Sequence, residues 1–215
     1  MKPVFRDRNH AGRELAGMLE EFRGSAALVL AIPAGGVPVA AALAAELRLA
    51  LDVAPVSKVL YPWTTESGYG AVAFDGSVLL DEAAIAASGV KPEEVEKAVA
   101  TARAKVESRL KRLRAGRSPL AVSGQTVILV DDGIAAGSTM RAAIGALRRQ
   151  RAERVFVAVP TAHRRALDAI SRVADEAYCA NVRAGASFAV ADAYAEWRDL
   201  GDDEIAATLA LSSAR

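Results

Sequence analysis

A single cysteine, Cys179, stands in 215 residues, so no internal disulfide can close and no cysteine-based metal site can be assembled. Aromatic residues make up only 5% of the chain, and the 2 histidines, His10 and His163, are too isolated to argue for a metal. Charge of one sign is not in surplus: 27 basic residues face 26 acidic ones, for a net charge of +1. That balance leaves no electrostatic footprint for nucleic acid or an anionic membrane surface. The opening MKPVFRDRNH is charged and has none of the apolar core of a secretory signal. An uncharged run from Ala26 to Ala45 is long enough to span a bilayer, but Pro33, Gly35, Gly36 and Pro38 interrupt its middle. A buried strand, a tight glycine-rich loop and a buried helix start account for it better, and a cytoplasmic enzyme or binding protein is expected.

What is present is an ordinary apolar fraction, 52%, on a length that suits one α/β domain. No internal repeat or Pro/Ser-rich linker divides the chain. Ala11, Leu15, Met18 and Phe22 give Asn9 to Phe22 a helical spacing. LVLAIP (28–33) reads as a short buried strand followed by a helix to about Leu47, and LDVAPVSKVL (51–60) as a second strand. Asp75-Gly76 is a favoured hairpin turn between 71–74 and 77–80. The longest helix is expected over 92–114: Pro92 and three glutamates open it, Lys111, Arg112 and Arg114 close it, and the charge order complements the macrodipole. That basic end reads as a solvated helix end rather than a ligand patch. Its narrow stripe of Val95, Val99, Ala102, Val106, Leu110 and Leu113 needs the body of the protein or a partner subunit, which admits a homodimer. Strands at 126–132, 154–160 and, more weakly, 174–180 alternate with helices at 138–149 and 163–173, before a last helix at 202–211. Such alternation indicates a mostly parallel sheet with helices on both faces, in a single domain over 1–215.

Within it, VILVDDGIAAGSTM (127–140) carries the chemistry. Ligands of such sheets bind beyond the carboxyl ends of strands, where Asp131 and Asp132 fall. Gly133 lets the chain turn, Ala135, Ala136 and Gly137 keep side chains off the backbone amides, and Ser138 and Thr139 open a helix whose free N–H groups attract an anion. Carboxylates for hydroxyls beside amides for a phosphate suit a sugar phosphate, and both aspartates are expected to face it rather than the core. The spacing differs from the GxxxxGK[ST] phosphate loop, and GxGxxG is absent. A phosphorelay receiver would need a lysine beyond the acids, whereas the last lysine is Lys111. Ordinary turn and cap roles would explain the two acids alone, but not the whole arrangement.

This stretch resembles the signature by which type I phosphoribosyltransferases bind 5-phosphoribosyl 1-diphosphate (PRPP). FRDRNHAGRELAGML (5–19), LAIPAGGVPVA (30–40), VSKVL (56–60), ESGYGAVA (66–73) and, less closely, FAVADAYAEW (188–197) resemble successive segments of one little-characterised branch. The resemblance implies that fold, with a helical insertion at about 82–115 and a small hood in the tail, about 181–215. It implies that Asp131 and Asp132 hold the ribose 2′- and 3′-hydroxyls, and that the loop from Gly133 through Ala135, Ala136, Gly137, Ser138 and Thr139 holds the 5′-phosphate. Ala34, Gly35 and Gly36 would form the pyrophosphate loop, Lys58 would add positive charge, and Glu66 would lie in a mobile loop, 61–70, that closes over the site. The implied reaction transfers the phosphoribosyl group to a small nitrogenous acceptor, such as a nucleobase, and releases pyrophosphate, with Mg²⁺ held mainly by PRPP and no certain protein metal ligand.

Departures from the family pattern matter as well. Ala34 stands where type I enzymes usually carry Arg or Lys, and Ser57 where the nearest branch has Arg. Ala136 lacks the threonine hydroxyl often found there, and Ala135 lacks the acid that some purine-salvage enzymes use. Arg6 or Arg8 could make up the missing charge. The rival readings are a non-catalytic PRPP or nucleotide regulator on the same fold and a phosphosugar enzyme of another α/β class, such as a hydrolase. Tyr69, Phe188, Tyr194 and Trp197 are candidates to stack on a base, although core packing would account for each.

Overall fold

The computed structural model describes residues 2–65, 67–185 and 188–213. The chain runs through α1 (Arg8–Met18), a 3-10 turn (Glu20–Phe22), β1 (Leu28–Ala31), α2 (Gly36–Leu47) and β2 (Ala50–Val53). It continues through β3 (Ser57–Leu60), β4 (Gly68–Val72), β5 (Val78–Leu80), α3 (Glu82–Ser88) and α4 (Pro92–Arg114). The second half holds β6 (Thr126–Val130), α5 (Ser138–Arg149), β7 (Arg154–His163), α6 (Arg164–Ile170), β8 (Glu176–Arg183), a second 3-10 turn (Val190–Ala193) and α7 (Asp202–Ser213).

Five of these strands form a parallel sheet in the order β2-β1-β6-β7-β8. The central strands are strongly apolar because helices cover both faces. In β6, Ile128 and Val130 pack with residues of α1, α2 and α7, while Val127 and Leu129 pack with Met140, Ile144 and Leu147 of α5. The chain builds outward from β1 to β2, then returns to β6 on the other side of β1. That reversal puts the topological switch point between the carboxyl ends of β1 and β6, the crevice position at which α/β sheets bind ligands.

The expected single strand over 51–60 is two strands. Pro55 has no N–H to continue a ladder. The parallel pairing of β2 therefore ends with Ala54 N donating to Ala31 O at 2.8 Å, and β3 starts a separate antiparallel sheet, β3-β4-β5. The hairpin around Asp75-Gly76 is present, with Gly76 at φ +81°. The weak strand expected over 174–180 is the eight-residue β8, because β7 runs on to His163 and supplies a longer template. The first helix gives way to the 3-10 turn beyond Met18.

Helix α4 has the expected bounds, with Glu94 accepting from Lys91 N at 2.9 Å. Its stripe is covered within the chain: Ala102 and Val106 pack on Val59, Tyr69 and Val72, and Leu113 joins the main core. The stripe therefore no longer argues for a partner subunit. Its basic end is not simply solvated either. Arg112 pairs with Asp203 at 2.7 Å, and Arg114 reaches the buried Asp52 at 3.0 Å.

Two glycines of α1 make opposite predictions. A Cβ on Gly12 would lie 2.3 Å from Val39 O, so alanine there must push α1 off α2. The expected loss is about 1–3 kcal/mol. Gly17 is exposed with nothing within 4 Å, and alanine there should add about 0.5 kcal/mol. Urea melts of the two variants check both signs.

Candidate active site at the carboxyl ends of β1 and β6

Beyond β6 the chain reads Asp131, Asp132, Gly133, and Ile134 then ties the loop to β7: Ile134 N donates to Thr161 O and His163 N donates to Ile134 O, each at 2.9 Å. Gly133 is required here, since a Cβ would meet Val190 Cγ1 at 2.6 Å. Ala135 and Ala136 are exposed, and Gly137, at φ +83°, turns the chain into α5. Ser138 and Thr139 occupy the first turn, whose amides precede any intrahelical acceptor. A helix N-terminus with small residues before it is thus formed beside the acid pair, as the sequence suggested.

Beyond β1, the Pro33–Ala34 peptide is cis, and Gly35 and Gly36 begin α2. This loop touches the acids directly. A Cβ on Gly35 would fall 1.7 Å from Asp132 Oδ2, and one on Gly36 would fall 3.2 Å from Asp131 Oδ1 and 2.8 Å from Val130 O. Only glycine permits so close an approach, so the two loops of the crevice are packed as one unit.

The expectation that both aspartates face outward needs correction for Asp132. Its Oδ2 accepts from Arg8 Nε at 2.9 Å, and the two side chains are only 14% and 9% exposed. The sequence offered Arg8 merely as a spare cation; the pairing spans 124 positions and leaves no local trace. Asp7 caps α1 by accepting from His10 N at 2.7 Å, which sets Arg8 in the first turn. Arg8 Nη1 donates to Arg198 O at 2.9 Å, and its guanidinium carbon lies 3.8 Å from the centre of the Trp197 ring. Tyr194 Oη donates to Asp132 O at 2.6 Å. The base-stacking candidates therefore separate. Tyr194 and Trp197 brace Arg8 and Asp132, Tyr69 is core, and Phe188 meets the His163 ring edge-on. The strand-like contact Phe5–Tyr194 packs the N-terminal segment against the turn that carries Tyr194.

Burial and the neighbouring Asp132 push the Asp131 carboxyl well above the usual carboxylate range. Burial also raises Asp132, and Arg8 opposes that rise. Burial pushes the Tyr194 phenol up, keeping it a donor. Lys58 is exposed on β3, where it lines a groove of about 390 Å³ with Tyr61, Glu94, Lys97 and Lys105. Ala34 is half-buried against the main core. Glu66 lies outside the described residues.

The sequence profile of the phosphoribosyl transferase domain matches residues 8–193. The chain belongs to the phosphoribosyltransferase family. A Mycobacterium tuberculosis protein with a phosphoribosyl transferase name, found in strains H37Rv and CDC 1551, is 34% identical over 206 residues. That match takes in 96% of this chain and 46% of the relative, so the chain spans about half the length of the curated relatives it matches. The crystal structure of TT1426 from Thermus thermophilus is 35% identical and superposes with a TM-score of 0.80, over 97% of this chain and 98% of that one. Among the described residues of this phosphoribosyltransferase-family chain, no helix is long and apolar enough to cross a membrane.

Proposed function

We propose that this chain is a phosphoribosyltransferase that binds PRPP with Mg²⁺ at the β1/β6 crevice and transfers the phosphoribosyl group to a small nitrogenous acceptor, releasing pyrophosphate. The observation that carries this reading is the contact of Gly35 and Gly36 with Asp132 and Asp131 beside the Gly137 turn. It sets acceptors for sugar hydroxyls next to two backbone loops suited to phosphoryl groups. In this reading Asp131 and Asp132 serve the ribose, and Ala135 to Thr139 serve the 5′-phosphate. The loop of Ala34, Gly35 and Gly36 serves the pyrophosphate, with Lys58 adding charge and Glu66 in the closing segment. Among the described residues no group of three or more His, Cys, Asp or Glu could cage a metal. Mg²⁺ would be held mainly by the oxygens of PRPP and by water, and would neutralise the departing pyrophosphate. Catalysis would then rest on positioning.

A second reading, a PRPP or nucleotide regulator without turnover, is favoured by Ala34 and by the ion pair that occupies Asp132. The two separate in one experiment: the chain is incubated with PRPP, Mg²⁺ and a panel of nucleobases while pyrophosphate is followed. Base-dependent release supports the transferase. Tight PRPP binding with no release for any base supports the regulator, and absence of binding of both PRPP and nucleoside monophosphates by calorimetry overturns both.

A further inference from the structure

Arg183 is the last residue of β8, and it is only 7% exposed. Arginine is almost never buried to that degree without a partner. Yet among the described residues no carboxylate pairs with it. Its Nη1 is enclosed with no hydrogen-bond partner, and its side chain makes one bond, from Nη2 to Asp192 O at 3.3 Å. An arginine that merely reaches past an apolar surface keeps its charged head in water; here Nη1 itself is enclosed. The polar residues nearby are already satisfied. Thr161 Oγ1 donates to Asn181 O at 3.1 Å and accepts from Asn181 Nδ2 at 2.9 Å, so these two serve each other. The fold thus holds a cation in a poorly solvated place with donors unspent, which is costly unless something outside the chain completes it.

That place adjoins the loop between the acids and α5. Arg183 stands opposite His163 of β7, and His163 N donates to Ile134 O at 2.9 Å. Two strand spacings, about 10 Å, therefore separate the Arg183 backbone from that loop, a gap one small ring can bridge. Arg183 Nη2 reaches the turn Val190–Ala193, whose Val190 closes on Gly133, and Phe188 lies edge-on to His163 with ring centres 6.0 Å apart.

We infer that Arg183 selects the acceptor: its guanidinium receives a carboxylate, so the nitrogen heterocycle that this chain takes is an acid and not a neutral base. The inference rests on the proposed transferase reading for the role of the ligand; the unpaired cation is a property of the free chain. A carboxylate fits because a guanidinium presents parallel N–H groups that it can accept together, and because one negative charge balances one buried positive one. The bond to Asp192 O is long at 3.3 Å, so a charged oxygen competes well for the same nitrogen and the turn yields to it. A neutral ligand leaves the cation uncompensated, and that difference is the source of discrimination.

Matched pairs of small heterocycles test this on the full chain: imidazole-4-carboxylate, pyridine-3-carboxylate and uracil-6-carboxylate, each beside its carboxamide. Calorimetry reads binding without PRPP, and pyrophosphate release is followed with PRPP and Mg²⁺. In at least one pair the acid should bind or react at least about tenfold better than the amide. Arg183→Met should bring that pair within about threefold. The same variant should melt no lower than the parent, because methionine removes an unpaired buried charge and keeps an apolar stem. A clear drop in its melting temperature, or failure to fold, marks a structural arginine and overturns the inference. Arg183→Lys should keep part of the preference for the acid, since it retains the charge and loses the fork. No preference for the acid in any pair of the unsubstituted chain also overturns it, as does a preference that survives in Arg183→Met. Pyrophosphate release confined to neutral bases would leave the transferase reading standing and remove this one. Arg183-dependent binding of an acid with no release for any compound would do the opposite.

Discussion

Arg114→Ala is expected to destabilise the protein by about 3–5 kcal/mol, the usual result of leaving one partner of a buried ion pair behind. Arg114 is the last residue of α4, and its Nη2 and Nε reach Asp52 of β2 at 3.0 and 3.3 Å. Asp52 is only 6% exposed. Without the guanidinium its carboxylate keeps two backbone donors, Val53 N at 2.8 Å and Leu120 N at 3.2 Å, and no countercharge among these contacts. The same pair fastens the end of α4 to the edge strand β2 of the main sheet, so its loss loosens the helix that packs on β3. For a chain of this length, a drop in melting temperature on the order of 10 °C corresponds to such a loss. The double variant Arg114→Leu with Asp52→Leu should recover much of it, because apolar side chains carry no uncompensated charge. A single variant that melts within about a degree of the parent would remove the pair from any account of stability.

The parts of this fold that the sequence made legible are those whose cause is local. Val127 to Val130, uninterrupted and apolar, could only be a strand covered on both sides. Gly133 and Gly137 marked the turn that follows, and Pro92 with Glu93 and Glu94 fixed the start of α4. What stayed hidden depends on residues far apart in the chain. Pro55 was a visible warning against one strand over 51–60, but the assignment of β3 to a second sheet depends on β4. The length of β8 depends on β7, and the disposition of Asp132 depends on Arg8 and Trp197. No periodicity encodes a contact between residues 8 and 132. A buried arginine at the start of an amphipathic helix looks, in sequence, like any exposed one.

Gly35→Ala tests the crevice most directly, and it is expected to weaken PRPP binding roughly 100-fold, the scale set by ångström misplacement of a binding group. Gly35 has φ −62° and ψ −29°, so alanine can adopt its backbone conformation without strain. The obstacle is entirely the neighbour. The new Cβ would occupy the position of Asp132 Oδ2, 1.7 Å away, and would also stand 3.1 Å from Arg8 Nε. Asp132 must then rotate away from Arg8, or the loop must retreat from the acids; either movement separates the proposed ribose acceptors from the proposed pyrophosphate amides. Gly137→Ala provides the contrast, because its Cβ would make only ordinary contacts, at 3.5 Å or more, and its cost comes from φ +83°. That variant should lose roughly 1 kcal/mol of stability as the turn is strained. Calorimetry on Gly35→Ala, with circular dichroism to establish that the chain is folded, reads the effect. An unchanged affinity would show that PRPP does not use the junction of these two loops, and with it the proposed assignment of the crevice would fall.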